Sequence, residues 1–124
     1  MDDIRIQLRA TNARIGREVC FLVPVGTGVV RLRELLAEGK LPGFEKPSQL
    51  FSDDIGHGSP ALSHLCTYLF YAAVFHRDPR ELRGLGNNGW SKQYGIQHEN
   101  LGPLLRQLAW EIMLAEPLSG LKKP

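Results

Sequence analysis

Two adjacent aspartates and a histidine share one short polar loop. Asp53, Asp54 and His57 stand within Ser52–Pro60, SDDIGHGSP. An aspartate three residues before a histidine in a compact turn can accept a hydrogen bond from the imidazole Nδ1–H. That bond fixes the tautomer, stabilises the imidazolium and leaves Nε2 to take a proton from a serine hydroxyl. On this spacing Asp54 is the orienting acid and His57 the general base, with Asp53 the competing acid one residue further off. Gly56 and Gly58 flank the histidine and let the loop bend tightly around the ring. By spacing alone, the same residues also describe an acid and a histidine on a solvated surface.

The elements that must carry this loop follow from hydrophobic pattern. Residues 3–15 place Ile4, Ile6, Leu8 and Ile15 among charges. Ahead of Gly16 they read as an amphipathic helix. Residues 18–25, EVCFLVPV, are a continuous apolar run that reads as a strand covered on both faces, with Pro24 at its end. Gly26-Thr27-Gly28 reads as a turn, and VVRLRELLAEG as a helix with Val29, Leu32, Leu35 and Leu36 on one face. Residues 40–49 are a loop, anchored by Leu50 and Phe51.

After the polar loop, Ser59 reads as an N-cap and Pro60 as a first-turn residue of a helix running from about Ala61 to Phe75. That helix is apolar over so much of its surface that burial on more than one side is expected. Residues 80–100 are polar and glycine-rich, with Trp90 and Tyr94 to hold them down. A last helix covers Leu101–Glu116 with Leu104, Leu105, Leu108, Ile112 and Met113 on one face, and the tail after Pro117 reads as frayed. The sum is one domain of 124 residues, mostly helical with one or two strands. A strand that is apolar throughout asks for ladder partners. The expected class is therefore α/β, a partial three-layer flavodoxin-like unit.

Composition removes several functions. The net charge is +2 and the basic residues are dispersed, which gives no footprint for nucleic acid; a pI near 8.7 is all that speaks for it. The two cysteines, Cys20 and Cys66, lie in apolar runs as small hydrophobes, without a Cys-x-x-Cys, so no disulfide framework is expected. His57, His64, Cys66 and His76 match no zinc spacing, and Gly26-Thr27-Gly28 lacks the lysine of a phosphate loop, so neither metal nor cofactor is expected. No run approaches the ~20 apolar residues of a membrane span. The start, MDDIRIQLRA, is not a signal peptide. A cytoplasmic location is expected for the chain as it stands, and export if a signal precedes it.

The succession LVPVG, an Arg-rich helix, GKLPGF, LFSDDIGH, Ser59-Pro60 and a helix ending in YAAVFHRDP resembles the C-terminal part of SGNH (GDSL-type) hydrolases over residues 1–80, with 81–124 as a loop and an appended helix. The resemblance implies a serine ester hydrolase acting on acyl or acetyl groups of a carbohydrate or lipid. It places that family's Asp-x-x-His on Asp54 and His57. The family's nucleophilic serine lies in a Gly-Asp-Ser block near its N-terminus, and later glycine and asparagine blocks complete the oxyanion hole. None of these is found here. Ser48, Ser52, Ser59, Ser63, Ser91 and Ser119 all lie outside such a block. Asn12 precedes the apolar run, and Asn87, Asn88 and Asn100 follow the histidine. The expectation is an incomplete domain, inactive alone, whose serine comes from a missing N-terminal region or a second polypeptide. The alternative is a non-catalytic helical interaction module whose exposed apolar faces meet a partner.

Overall fold

The computed structural model describes residues 2–82 and 100–122. They form α1 (Asp2–Ile15), α2 (Val25–Ala37), α3 (Pro60–Phe75) and α4 (Leu101–Ala115), with 3-10 turns at Pro47–Leu50 and Pro79–Glu81. The loop bearing Trp90, Tyr94, Ser91, Asn87, Asn88 and His98 lies outside the described residues.

The core is helix on helix. Leu62, Leu65, Tyr68, Leu69 and Ala72 of α3 face Leu101, Leu105, Leu108, Ala109, Ile112 and Met113 of α4. Leu32 and Leu36 of α2 close the third side, and Leu41 and Leu50 seal the edge. These positions recur at three and four residues, the spacing that puts side chains on one helix face. Fully burying a leucine stabilises by about 2 kcal/mol, so this cluster is the main source of stability.

The α/β expectation is wrong: among the described residues there is no strand and no sheet, only one isolated antiparallel bridge, Phe51 to Gly58. The flavodoxin-like layering falls with it. Of the run read as a strand, residues 18–25, residues 18–24 belong to no element and Val25 begins α2. The physical reason is that several of its backbone groups find partners elsewhere and that much of the run, Val19 and Phe21 included, is open to water. The Asn12 side chain accepts from the N–H groups of Val19 and Cys20, both at 2.9 Å, and donates to the Cys20 carbonyl at 2.9 Å. The Leu22 N–H donates to the Leu118 carbonyl at 2.8 Å. An apolar run needs ladder partners only when nothing else meets its N–H and C=O groups. One asparagine and the tail meet four of those groups here, and water can reach the exposed remainder.

Three further expectations need correcting. Gly26-Thr27-Gly28 is the first turn of α2, not a turn before it, because the helix begins at Val25 behind Pro24. The α3 helix is buried on one side only: Phe70 and Val74 stand on its outer face, about half and two-thirds exposed at 51% and 66%. The tail is docked rather than frayed as far as it is described. Ser119 is buried, Leu121 packs on the core, and Gly120 lies against Phe21, which in turn meets His76 edge-on at 6.3 Å.

Helix α1 differs from the rest in burying no residue. It is held by Asn12 at one end and by one ion pair at the other. Arg5 Nη2 donates to Glu116 Oε2 at 2.7 Å, where the Glu116 side chain is 2% exposed. The Leu118 N–H donates to the same carboxylate at 3.1 Å. Burial pushes the Glu116 carboxyl up, but the Arg5 guanidinium, the Leu118 N–H and the charge of Arg9 outweigh it and hold it below its usual 4.5. A carboxyl lowered in the fold adds stability that is complete above the unfolded-state value and drains away as pH falls through the folded-state value. Urea denaturation at successive pH values is therefore expected to show stability falling below about pH 4.5, with a shallower fall in Glu116→Gln. An unchanged acid limb in that variant would place the linkage elsewhere.

Candidate functional site

The polar loop is closed at its base like a short hairpin. The Ser59 N–H donates to the Leu50 carbonyl at 2.8 Å, and the Ser52 N–H to the His57 carbonyl at 2.7 Å. The Ser52 hydroxyl donates to that same carbonyl at 3.2 Å. Inside this frame Asp53 folds back on the chain. Its Oδ1 accepts from the N–H groups of Ile55 at 3.1 Å and His57 at 3.0 Å, an Asx-type turn. Its Oδ2 is hydrogen-bonded to His57 Nδ1. The turn needs a left-handed residue, which Gly56 supplies at φ +91°. Gly58 does something different: a Cβ there would sit 3.0 Å from Leu62 Cδ2, so it lets the loop lie directly on α3.

The acid that reaches the imidazole is thus Asp53, four residues before His57, and not Asp54, three before it. Asp54 is exposed and makes no hydrogen bond or ion pair among the described residues. It lines an open concavity of about 330 Å³ with Ser48, Phe51, Ser52, Asp53 and Gly56. Donation from the His57 ring and from the backbone N–H groups holds the Asp53 carboxyl below its ordinary value, against a smaller upward push from burial. The His57 side chain is 70% exposed, and its Nε2 makes no hydrogen bond among the described residues. The pair can therefore present a fixed imidazole with one nitrogen available to a substrate or nucleophile.

Among the described residues no serine hydroxyl is hydrogen-bonded to the His57 ring. Ser52 is engaged with the His57 carbonyl. The hydroxyl of Ser119 accepts from the Leu121 N–H at 3.3 Å. Ser59 takes the N-cap position of α3, but its side chain makes no capping bond. Its Oγ is buried without a hydrogen-bond partner among the described residues. Asn12, which sequence order had excluded from an oxyanion hole, is committed to the Val19–Cys20 backbone.

His64, His76 and Cys66 have structural settings. His64 stacks edge-on against Tyr68 at 6.3 Å, and burial lowers its pKa. His76 ends α3 with a left-handed φ of +52°. Burial pushes the Cys66 thiol up, which leaves it a poor nucleophile. Among the described residues no three metal-ligating side chains come together, and no helix is long and apolar enough to cross a membrane. Compared with known proteins, the chain matches no family model, no curated protein and no solved structure.

Proposed function

We propose that the Asp53–His57 loop is the general-base element of an ester hydrolase of the SGNH type, with the serine and the oxyanion donors supplied by polypeptide outside this chain. The observation that carries the reading is the Nδ1–Asp53 hydrogen bond on a ring whose Nε2 faces no partner among the described residues. In that role His57 Nε2 takes the serine proton as Oγ attacks the ester carbonyl. It returns the proton to the departing alkoxide, and then activates water to release the acyl group. Asp53 holds the ring and stabilises the imidazolium. The substrate class, an acyl or acetyl ester of a carbohydrate or lipid, rests on the resemblance of the loop and the helix after it.

Magnitudes set what the chain does alone. Loss of a triad nucleophile costs about 10⁶ in turnover, so the isolated 124-residue chain is expected to be inert towards esters. Co-producing it with whatever the DNA upstream of Met1 encodes, and assaying a short-chain aryl ester, tests the reading. Activity is expected only in the combined preparation, falling by about 10⁴ or more in His57→Ala. Activity that survives His57→Ala overturns the role.

A further inference from the structure

A second concavity, of about 280 Å³, lies where α1, α2 and α4 meet, and it shares no residue with the polar loop. That is slightly below the roughly 300 Å³ at which drug-sized sites begin, so it suits a small molecule. Buried Pro24, Leu108 and Ile112 give it an apolar lining, and Ala115 lines it at the surface. Four charged side chains complete it. Two of them answer each other: Arg5 commits Nε and Nη2 to Glu116 and Nη1 to Asp2, and the Glu116 carboxylate is met by Arg5 and the Leu118 N–H. The other two do not. Arg31 of α2 gives Nη1 to Glu34 on the helix surface and leaves Nε and Nη2 without a hydrogen bond among the described residues. Glu111 of α4 accepts from Gln107 through Oε1 and leaves Oε2 open among the same residues. Arg31 and Glu111 line one cleft from two helices and are not paired with each other among the described residues. Thr27 lines it as well. The other two threonines of the chain, Thr11 and Thr67, return their hydroxyls to the carbonyl four residues back, whereas that of Thr27 makes no hydrogen bond among the described residues.

We infer that this cleft binds a free α-amino acid with a branched aliphatic side chain. Such a ligand carries a carboxylate and an ammonium on one carbon, the two charges that Arg31 and Glu111 lack. The Nε and Nη2 edge of a guanidinium is a planar fork that matches a carboxylate with two parallel hydrogen bonds. Glu111 Oε2 accepts from the ammonium, and the Thr27 hydroxyl is a further donor for the carboxylate. The side chain then lies against Leu108, Ile112 and Pro24, where it leaves water. The charges also reject the simpler ligands. A plain carboxylate would sit beside Glu111 with nothing to answer it, and a plain amine would meet Arg31 in the same way. Arg5 and Glu116 already satisfy each other, so they act as a neutral wall.

Titrating the nitrogen-15-labelled whole chain with leucine, and following its backbone amide shifts, tests this. The amides of Thr27, Arg31 and residues 108–116 are expected to move together and to saturate with a Kd of about 1 mM. 4-Methylpentanoate, which lacks the ammonium, and 3-methylbutylamine, which lacks the carboxylate, should each bind about tenfold more weakly or worse. Arg31→Gln should bind leucine no better than the native chain binds the amine, and Glu111→Gln no better than it binds the carboxylate. Both side chains stand at the surface, so these variants should keep the native fold, which the unchanged remainder of the spectrum reports. Ala115→Trp should close the cleft and abolish binding. No shift up to about 20 mM leucine overturns the proposal. So does equal affinity for the three ligands, which would leave an apolar cleft without charge selection. Binding that survives Ala115→Trp places the ligand elsewhere and overturns it too.

Discussion

Leu65→Ala is expected to lower the stability of the fold by about 3 kcal/mol, a large share of the roughly 5–15 kcal/mol that holds a domain of this size together. Leu65 is fully buried in α3 where α2 crosses it. The crossing is close because α2 presents Gly28 there: a Cβ on that residue would lie 3.0 Å from Leu65 Cδ2 and 3.4 Å from Leu69 Cδ1. Removing the leucine therefore opens a cavity beneath a helix with little else at that point to fill it, and the lost contacts add to the lost transfer free energy. Gly28→Ala alone sets a gain in helix propensity of about 1 kcal/mol against the displacement of Leu65 by a few tenths of an ångström. In the Leu65→Ala background that displacement vanishes and the new methyl partly fills the gap. The double variant is expected to be more stable than Leu65→Ala by about 1 kcal/mol. Urea midpoints with unchanged slopes would show it. Additive effects would mean that α2 and α3 do not meet through this pair.

The same crossing shows what the sequence could and could not disclose. The 3–4 spacing of Leu62, Leu65 and Leu69, and of Leu105, Leu108 and Ile112, placed α3 and α4 to within a residue, because a helix face is a local property of the chain. Gly28 read as part of a turn, because nothing local distinguishes a glycine that bends the chain from one that admits a neighbouring leucine. The apolar run Val19–Val23 has strand composition. Whether it becomes a strand depends on partners elsewhere, and the Asn12 amide took that place from eight residues away. Glu116 looked like an ordinary helix end. Its burial depends on Arg5, 111 residues distant in sequence, and no periodicity reports such a pair. The loop was found for its chemistry, and the helix behind it for its pattern. The choice between two adjacent acids was not legible: it is made by the left-handed turn at Gly56, which points Asp53 rather than Asp54 back at the ring.

That choice has a consequence large enough to test directly. In Asp53→Asn the side-chain oxygen can still accept from the N–H groups of Ile55 and His57, so the turn is expected to survive. What faces His57 Nδ1 is then an amide N–H₂ instead of a carboxylate oxygen, and two donors cannot share the contact. The imidazole is expected to surrender its Nδ1 proton and carry it on Nε2, the wrong nitrogen for a general base. Nitrogen-15 chemical shifts of the His57 ring, recorded at alkaline pH where imidazoles are neutral, report the tautomer without need of any activity. The native chain should show the proton on Nδ1, Asp53→Asn on Nε2, and Asp54→Asn the native pattern. In the combined hydrolase preparation the tautomer switch should cost about 10⁴ in turnover, the scale known for an orienting acid made amide, while Asp54→Asn stays within about threefold of the native rate. If Asp54→Asn moves the proton and Asp53→Asn does not, the three-residue spacing is the working one, and the turn at Gly56 must open before His57 can act.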